Sequence, residues 1–196
     1  MKKIFFYSIT FLCLISCKEK DPISLREIIS NETVTITSNL KNSSVTDSVS
    51  IIIPMEFEII INKSSLKFLK VDFFSNKKYR IIVDDYEIYD LQNKTKPILN
   101  FKSYLSSKKP FYILLKEKNH LISKKNAQEL LEKYNIKKSL DNLKFGDTLN
   151  LISYNKFRED NIKILKELRR IEDKIRITTS CKGEDFFHSQ DFKINW

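Results

Sequence analysis

A thiol, carboxylates and an imidazole crowd into residues 181–191: Cys181, Glu184, Asp185, His188 and Asp191. Side chains of these kinds can bind metal or attack a carbonyl. A structural zinc site takes four ligands, mostly cysteine and histidine, and one of each falls short. A cysteine nucleophile with a histidine base needs a third group to orient the base, and no local motif supplies one. A second cluster, Asp84, Asp85, Glu87 and Asp90, is rich in oxygen. Calcium loops use a glycine at their sharp turn, and glycine occurs only at 146 and 183. The acidic run therefore reads as a solvated hairpin turn. His120 follows Asn119 at a turn and reads as a surface residue. No serine sits in a G-x-S-x-G elbow, and no glycine-rich loop is available to cradle phosphate. No catalytic residue, metal or cofactor is assigned. Tyr86, Tyr89, Tyr104 and Tyr112 remain as binding candidates, with Phe101 and Phe111 beside them. Aromatic rings can floor a glycan or peptide groove, although strands favour the same residues for packing.

The remaining reactive group is near the start. Lys2 and Lys3 precede an uncharged apolar run, Ile4 to Ile15. A membrane-spanning helix needs ~20 apolar residues. Twelve are too few to span, but they suit the apolar region of a secretory signal. The run ends in Leu14-Ile15-Ser16-Cys17, which resembles the lipobox of bacterial lipoproteins. Cys13 follows the bulky Leu12 and fits that pattern less well. The resemblance covers about the first twenty residues. It implies that the Cys17 thiol carries diacylglycerol, that Met1 to Ser16 are removed, and that Cys17 becomes the first residue. Two or more acyl chains are enough for a stable anchor, so the membrane is expected as a partner through the N-terminal lipid. Lys18 stands where inner-membrane lipoproteins of Gram-negative bacteria commonly carry aspartate, which implies the outer membrane. Lys18-Glu19-Lys20-Asp21 loosely resembles the charged signals of surface-exposed lipoproteins, and orientation toward periplasm or cell surface stays open.

Removing sixteen residues leaves 180 with a net charge of +8. A chain of that size buries ~70% of its unfolded surface without cross-links. Cys181 would be the one thiol left over, and it reads as a small buried hydrophobe. Charge is uneven. Residues 17–98 balance twelve basic against twelve acidic side chains, whereas residues 99–196 carry twenty-one basic and thirteen acidic. Such a half can meet acidic lipid, glycan or protein. Lysine far outnumbers arginine, whereas phosphate recognition favours the arginine fork, and nucleic acid is not an expected partner outside the cytoplasm.

Hydrophobic period supplies the scaffold. Ser24-Leu25-Arg26-Glu27 matches a capping box and predicts a turn or two of helix over Leu25 to Ser30. Period-two alternation then runs to about residue 117. It is clearest over Val49, Ile51, Ile53, Met55, Phe57, Ile59 and Ile61, with Ser50, Pro54, Glu56 and Glu58 on the face turned to water. Pro54 marks an edge or a break. Further strands are expected in LKFLKVDFF, YRIIV, YEIYDL and FYILLK, joined by turns that use Asn and Asp in place of glycine. Ser123 caps an expected helix over Lys124 to Tyr134, and Asp160 caps a second reaching Asp173. TLNLISY, KIRITTS and the residues around Phe192 to Trp196 read as strands.

These readings predict an α+β chain, a mainly antiparallel β-sandwich-like layer followed by two helices and additional strands. The expected divisions are a signal peptide over 1–16, a lipidated tether over 17–30, a sandwich-like region over 31–118 and an α+β extension over 119–196. The expected role is a non-catalytic, lipid-anchored envelope module of binding, accessory or immunity type, with a protein or glycan ligand. The alternative is an envelope hydrolase with its site between the helices and the sheet.

Overall fold

The structure is a computed structural model that describes residues 21–38, 47–107, 109–118, 120–144, 146–168 and 170–195. The lipobox, Cys17 included, lies outside the described residues. Those residues form three helices and twelve strands in three antiparallel sheets, an α+β fold dominated by its β layers.

The first sheet has the order β1 (Ile23–Ile28), β4 (Pro54–Ile61), β8 (Phe111–Glu117), β7 (Tyr86–Asp90). The second has the order β10 (Thr148–Ser153), β2 (Thr33–Ser38), β3 (Ser48–Ile52), β9 (Leu121–Ser123). Three chain passages join them. β1 leads into β2, β3 into β4 and β8 into β9, and the paired registers continue from Ile23↔Ile61 at one end to Ser38↔Val49 at the other. The result is one long ribbon, interrupted where Pro54 lacks the N–H that a ladder needs. The third sheet, β12 (His188–Lys193), β11 (Lys174–Cys181), β5 (Leu66–Ser75), β6 (Lys78–Tyr79), covers the first.

Alternation explains the core between them. Ile51, Ile53, Met55, Phe57 and Ile59 are all buried, against Leu69, Val71, Phe73, Ile175 and Ile177 of the covering sheet. Phe73 packs on Tyr86 with ring centroids 5.6 Å apart. The opposite face of β4 departs from the predicted exposure: Glu56 and Glu58 are only 8% and 6% accessible. Each is held by partners. Ser30 Oγ donates to Glu56 Oε1 at 2.5 Å, while Glu58 takes Arg26 at 2.8 Å and the Tyr112 hydroxyl at 3.0 Å.

Helix α1 (Lys124–Lys133) starts as predicted, with Ser123 accepting from the Asn126 N–H. Such a cap contributes about 1 kcal/mol. Asn135 ends it at φ 56°, and bonds from Ile136 N to Leu131 O and Asn135 N to Glu132 O close a Schellman turn. Ala127, Leu130 and Leu131 are its buried face.

Three expectations are corrected. Residues 23–28 form strand β1, not a helix, because the capping box is spent elsewhere: Ser24 Oγ accepts from Asn62 Nδ2, and Glu27 Oε2 accepts from Asn195 N. YRIIV leaves the sheet after Tyr79. Asp85 closes that loop, its carboxylate accepting from Ile81 N and its N–H donating to Ile81 O. The second helix, expected from an Asp160 cap to Asp173, is only the short α3 (Ile162–Leu168), and Asp160 instead ends an unforeseen helix, α2 (Tyr154–Asp160). Asn161 separates the two in a non-helical conformation, its side chain donating to Phe157 O and to the Tyr134 hydroxyl.

Candidate functional site

The sequence clusters separate in three dimensions. Cys181 packs into the core, while His188 is well exposed and pairs with Glu184 at 3.4 Å. Asp191 is drawn away by Arg176 and Lys174. The acidic run is likewise committed. Asp85 closes the loop described above, Glu87 takes Lys118 and the Tyr89 hydroxyl, and Asp90 takes Gln92 N and the Tyr104 hydroxyl. Among the described residues, no group of three or more His, Cys, Asp or Glu is arranged to hold a metal ion.

The four tyrosines do not form one surface. Tyr86 is buried in the core, its hydroxyl 3.4 Å from Val71 O, and burial raises its pKa. Tyr89 and Tyr104 are partly covered, and burial together with their carboxylate partners raises each to about 12. Tyr104 stacks against Phe111 with centroids 4.7 Å apart, so its ring serves packing. Tyr112 is held by its bond to Glu58, which raises its pKa.

His120 is the main correction among the reactive residues. It is 4% accessible rather than on the surface. Chain passage from β8 to β9 carries it inward at the interruption of the ribbon, where its carbonyl accepts from Ile51 N. Its Nε2 lies 2.9 Å from Glu117 Oε2 and 3.8 Å from Asp173 Oδ2. Neither contact has hydrogen-bond geometry. Asp173 also accepts from Asn76 N and from Ser75. Burial raises the Asp173 pKa, Glu117 adds to the rise, and the Ser75 bond and His120 oppose it. Glu117 and Asp173 carried no local signal, because the sequence shows neither the bend in the ribbon nor which strands meet there. The trio has the residue types of an acid–base site. It lines none of the cavities described below, and all three side chains are 3% accessible or less.

A wide concavity lies elsewhere. A shallow, open groove of about 800 Å³ runs beside α1. The Schellman turn sends the chain back along the helix, and Leu140 pins it to the small second core beneath. Lys124 and Lys125 from the start of α1 therefore share a groove with Lys137 and Lys138 from the returning segment, against the acids Glu132 and Asp141. A second cleft of about 500 Å³ separates α1 from α2 and α3. Its floor is fastened, with Lys133 Nζ donating to Asp160 O at 2.6 Å and to Asn161 Oδ1 at 3.0 Å.

No protein-family model, curated protein or solved structure matches this chain.

Proposed function

We propose that this chain is a lipid-anchored outer-membrane protein that acts as a non-catalytic binding module of accessory or immunity type. The lipobox resemblance of Leu14 to Cys17 supports the anchor. The lysine-lined groove beside α1 is the observation that carries the binding role. Four lysines against two acids on a wide, open surface suit a broad acidic partner, a protein or an acidic glycan, better than a small enclosed substrate. The groove lies against the β2–β3 end of the ribbon, away from Asp21, where the chain enters β1. A tethered molecule of this form holds the groove at a distance from its anchor. The His120 trio is sealed, and a sealed charge cluster serves the fold.

Two measurements test the reading. Intact-mass analysis of native material should show a chain that begins at an acylated Cys17, and a retained Met1 would overturn the anchor. Affinity capture from envelope extract should yield a partner whose retention falls with salt and is lost with Lys124→Glu, Lys125→Glu, Lys137→Glu and Lys138→Glu combined. Retention unaffected by that variant would overturn the groove. Alanine at His120, His188 or Cys181 should leave capture intact wherever the protein remains folded.

A further inference from the structure

Two adjacent phenylalanines are exposed where burial would be expected. Phe186 and Phe187 sit in the turn between β11 and β12, 57% and 63% accessible. They are held in place. Phe187 meets Phe68 edge-on at 5.2 Å, and Phe186 meets His188 at 4.7 Å. Gly183 permits the turn with φ +83°, and Lys67 Nζ donates to Glu184 O across it at 2.9 Å.

The position of this turn suggests what covers it. Lys182 N donates to Ser65 O, which ties the turn to the 62–65 loop. In the same loop Asn62 N donates to Pro22 O, and Asn62 Nδ2 donates to Asp21 O. Asp21 and His188 also line a common small cavity. The exposed rings and the point where the N-terminal chain enters the fold thus share one end of the molecule. Cys17 is four residues before Asp21, a reach of at most about 14 Å when fully extended.

We propose that the Phe186–Phe187 turn, with Phe68, is a second membrane contact that inserts into the interfacial layer of the bilayer beside the lipidated N-terminus. The inference rests on the anchoring reading for where the bilayer lies. Aromatic rings partition to the depth of the headgroups, and basic side chains nearby favour anionic lipid. Lys63, Lys67 and Lys182 belong to this end. Of its acids, Glu184 is turned inward, its carboxylate accepting from Cys181 N and facing His188, while Asp21 and Asp185 remain. Anchoring by acyl chains alone leaves the body free to tilt. A wedge beside the anchor fixes its orientation, with the α1 groove facing outward.

The test uses the full chain in vesicles of phosphatidylethanolamine and phosphatidylglycerol. Trp196 is the sole tryptophan, so Trp196→Phe with Phe187→Trp places one indole on the turn. Trp196→Phe with Leu121→Trp places it on an exposed site at the far end of the ribbon. Brominated lipid should quench the turn indole by about half or more and leave the distal one unchanged. Equal quenching at the two sites overturns the proposal. Mass analysis of the same sample reads acylation separately. Should Cys17 prove unmodified, cosedimentation of the full chain with these vesicles decides. Binding that drops about tenfold in Phe186→Ser/Phe187→Ser upholds the contact, and no binding, or no drop, overturns it.

Discussion

Replacing His120 by alanine should unfold this protein more readily at neutral pH than in mild acid. His120 Nε2 stands 2.9 Å from Glu117 Oε2 and 3.8 Å from Asp173 Oδ2, with all three side chains 3% accessible or less. Removing the imidazole takes away the polar neighbour that both carboxyl groups share and leaves them buried with less compensation for their lost hydration. The expected loss is about 3–5 kcal/mol. The backbone bond from Ile51 N to the residue 120 carbonyl survives the change, so the effect belongs to the side chain. The pH dependence follows from Asp173. Burial already raises its pKa and Glu117 raises it further, while the Ser75 bond and then His120 oppose them. Without His120, folded Asp173 keeps its proton to a higher pH than unfolded Asp173 does. The folded state then binds more protons across that window, and stability falls as pH rises through it. Urea unfolding of wild type and variant at about pH 4.5 and pH 7.5 measures both quantities, with the larger loss expected at pH 7.5. A loss below ~1 kcal/mol at pH 7.5, or equal losses at both, would refute the reasoning. A hydrolase built on His120 would show the opposite pattern, with turnover abolished and stability kept.

Three other substitutions probe separate features. Val83 is β-branched at φ 77° and its side chain is exposed, so Val83→Gly should raise stability by about 1 kcal/mol in thermal or urea unfolding. Asp191 is held to a pKa of about 2, chiefly by its bonds to Arg176 and then Lys174. Its contribution is present above the ordinary aspartate range and is lost as pH falls toward 2. Because the pair is solvent-accessible, Asp191→Asn should cost less than ~1 kcal/mol at neutral pH and still less in high salt. Phe157 is fully buried between α2 and the main core, and Phe157→Ala should cost about 3–5 kcal/mol in the same assay.

Local signals were legible where local physics decides. The cap at Ser123, the strand TVTITS and the break at Pro54 all appear where period and residue type place them. Non-local partners decided the rest. Ser24 and Glu27 compose a good helix start, yet Asn62 and Asn195 engage those side chains in a strand. Asp160 closes one helix and does not cap the next, because Asn161 behind it is held out of helical conformation, bonded to Phe157 O and to the Tyr134 hydroxyl just past α1. The acid–base trio was out of reach of the sequence for the same reason. Its members stand at 117, 120 and 173, and only the fold joins the last to the first two. Alternation placed Glu56 and Glu58 in water, and nothing in their own strand reveals the serine, arginine and tyrosine that cover them. Phe186 and Phe187 sit in a turn with no periodicity to mark them, and only their exposure in the folded chain sets them apart.

The clasp of Asn62 on residues 21–24 has a mechanical consequence. Strand β1 begins directly at that clasp and runs into the body antiparallel to β4. Tension applied through the N-terminal chain therefore pulls along the strand axis and loads the β1–β4 rungs together in shear, instead of peeling them one after another. Force applied there must break several rungs at once, which a strand peeled from its far end would not require.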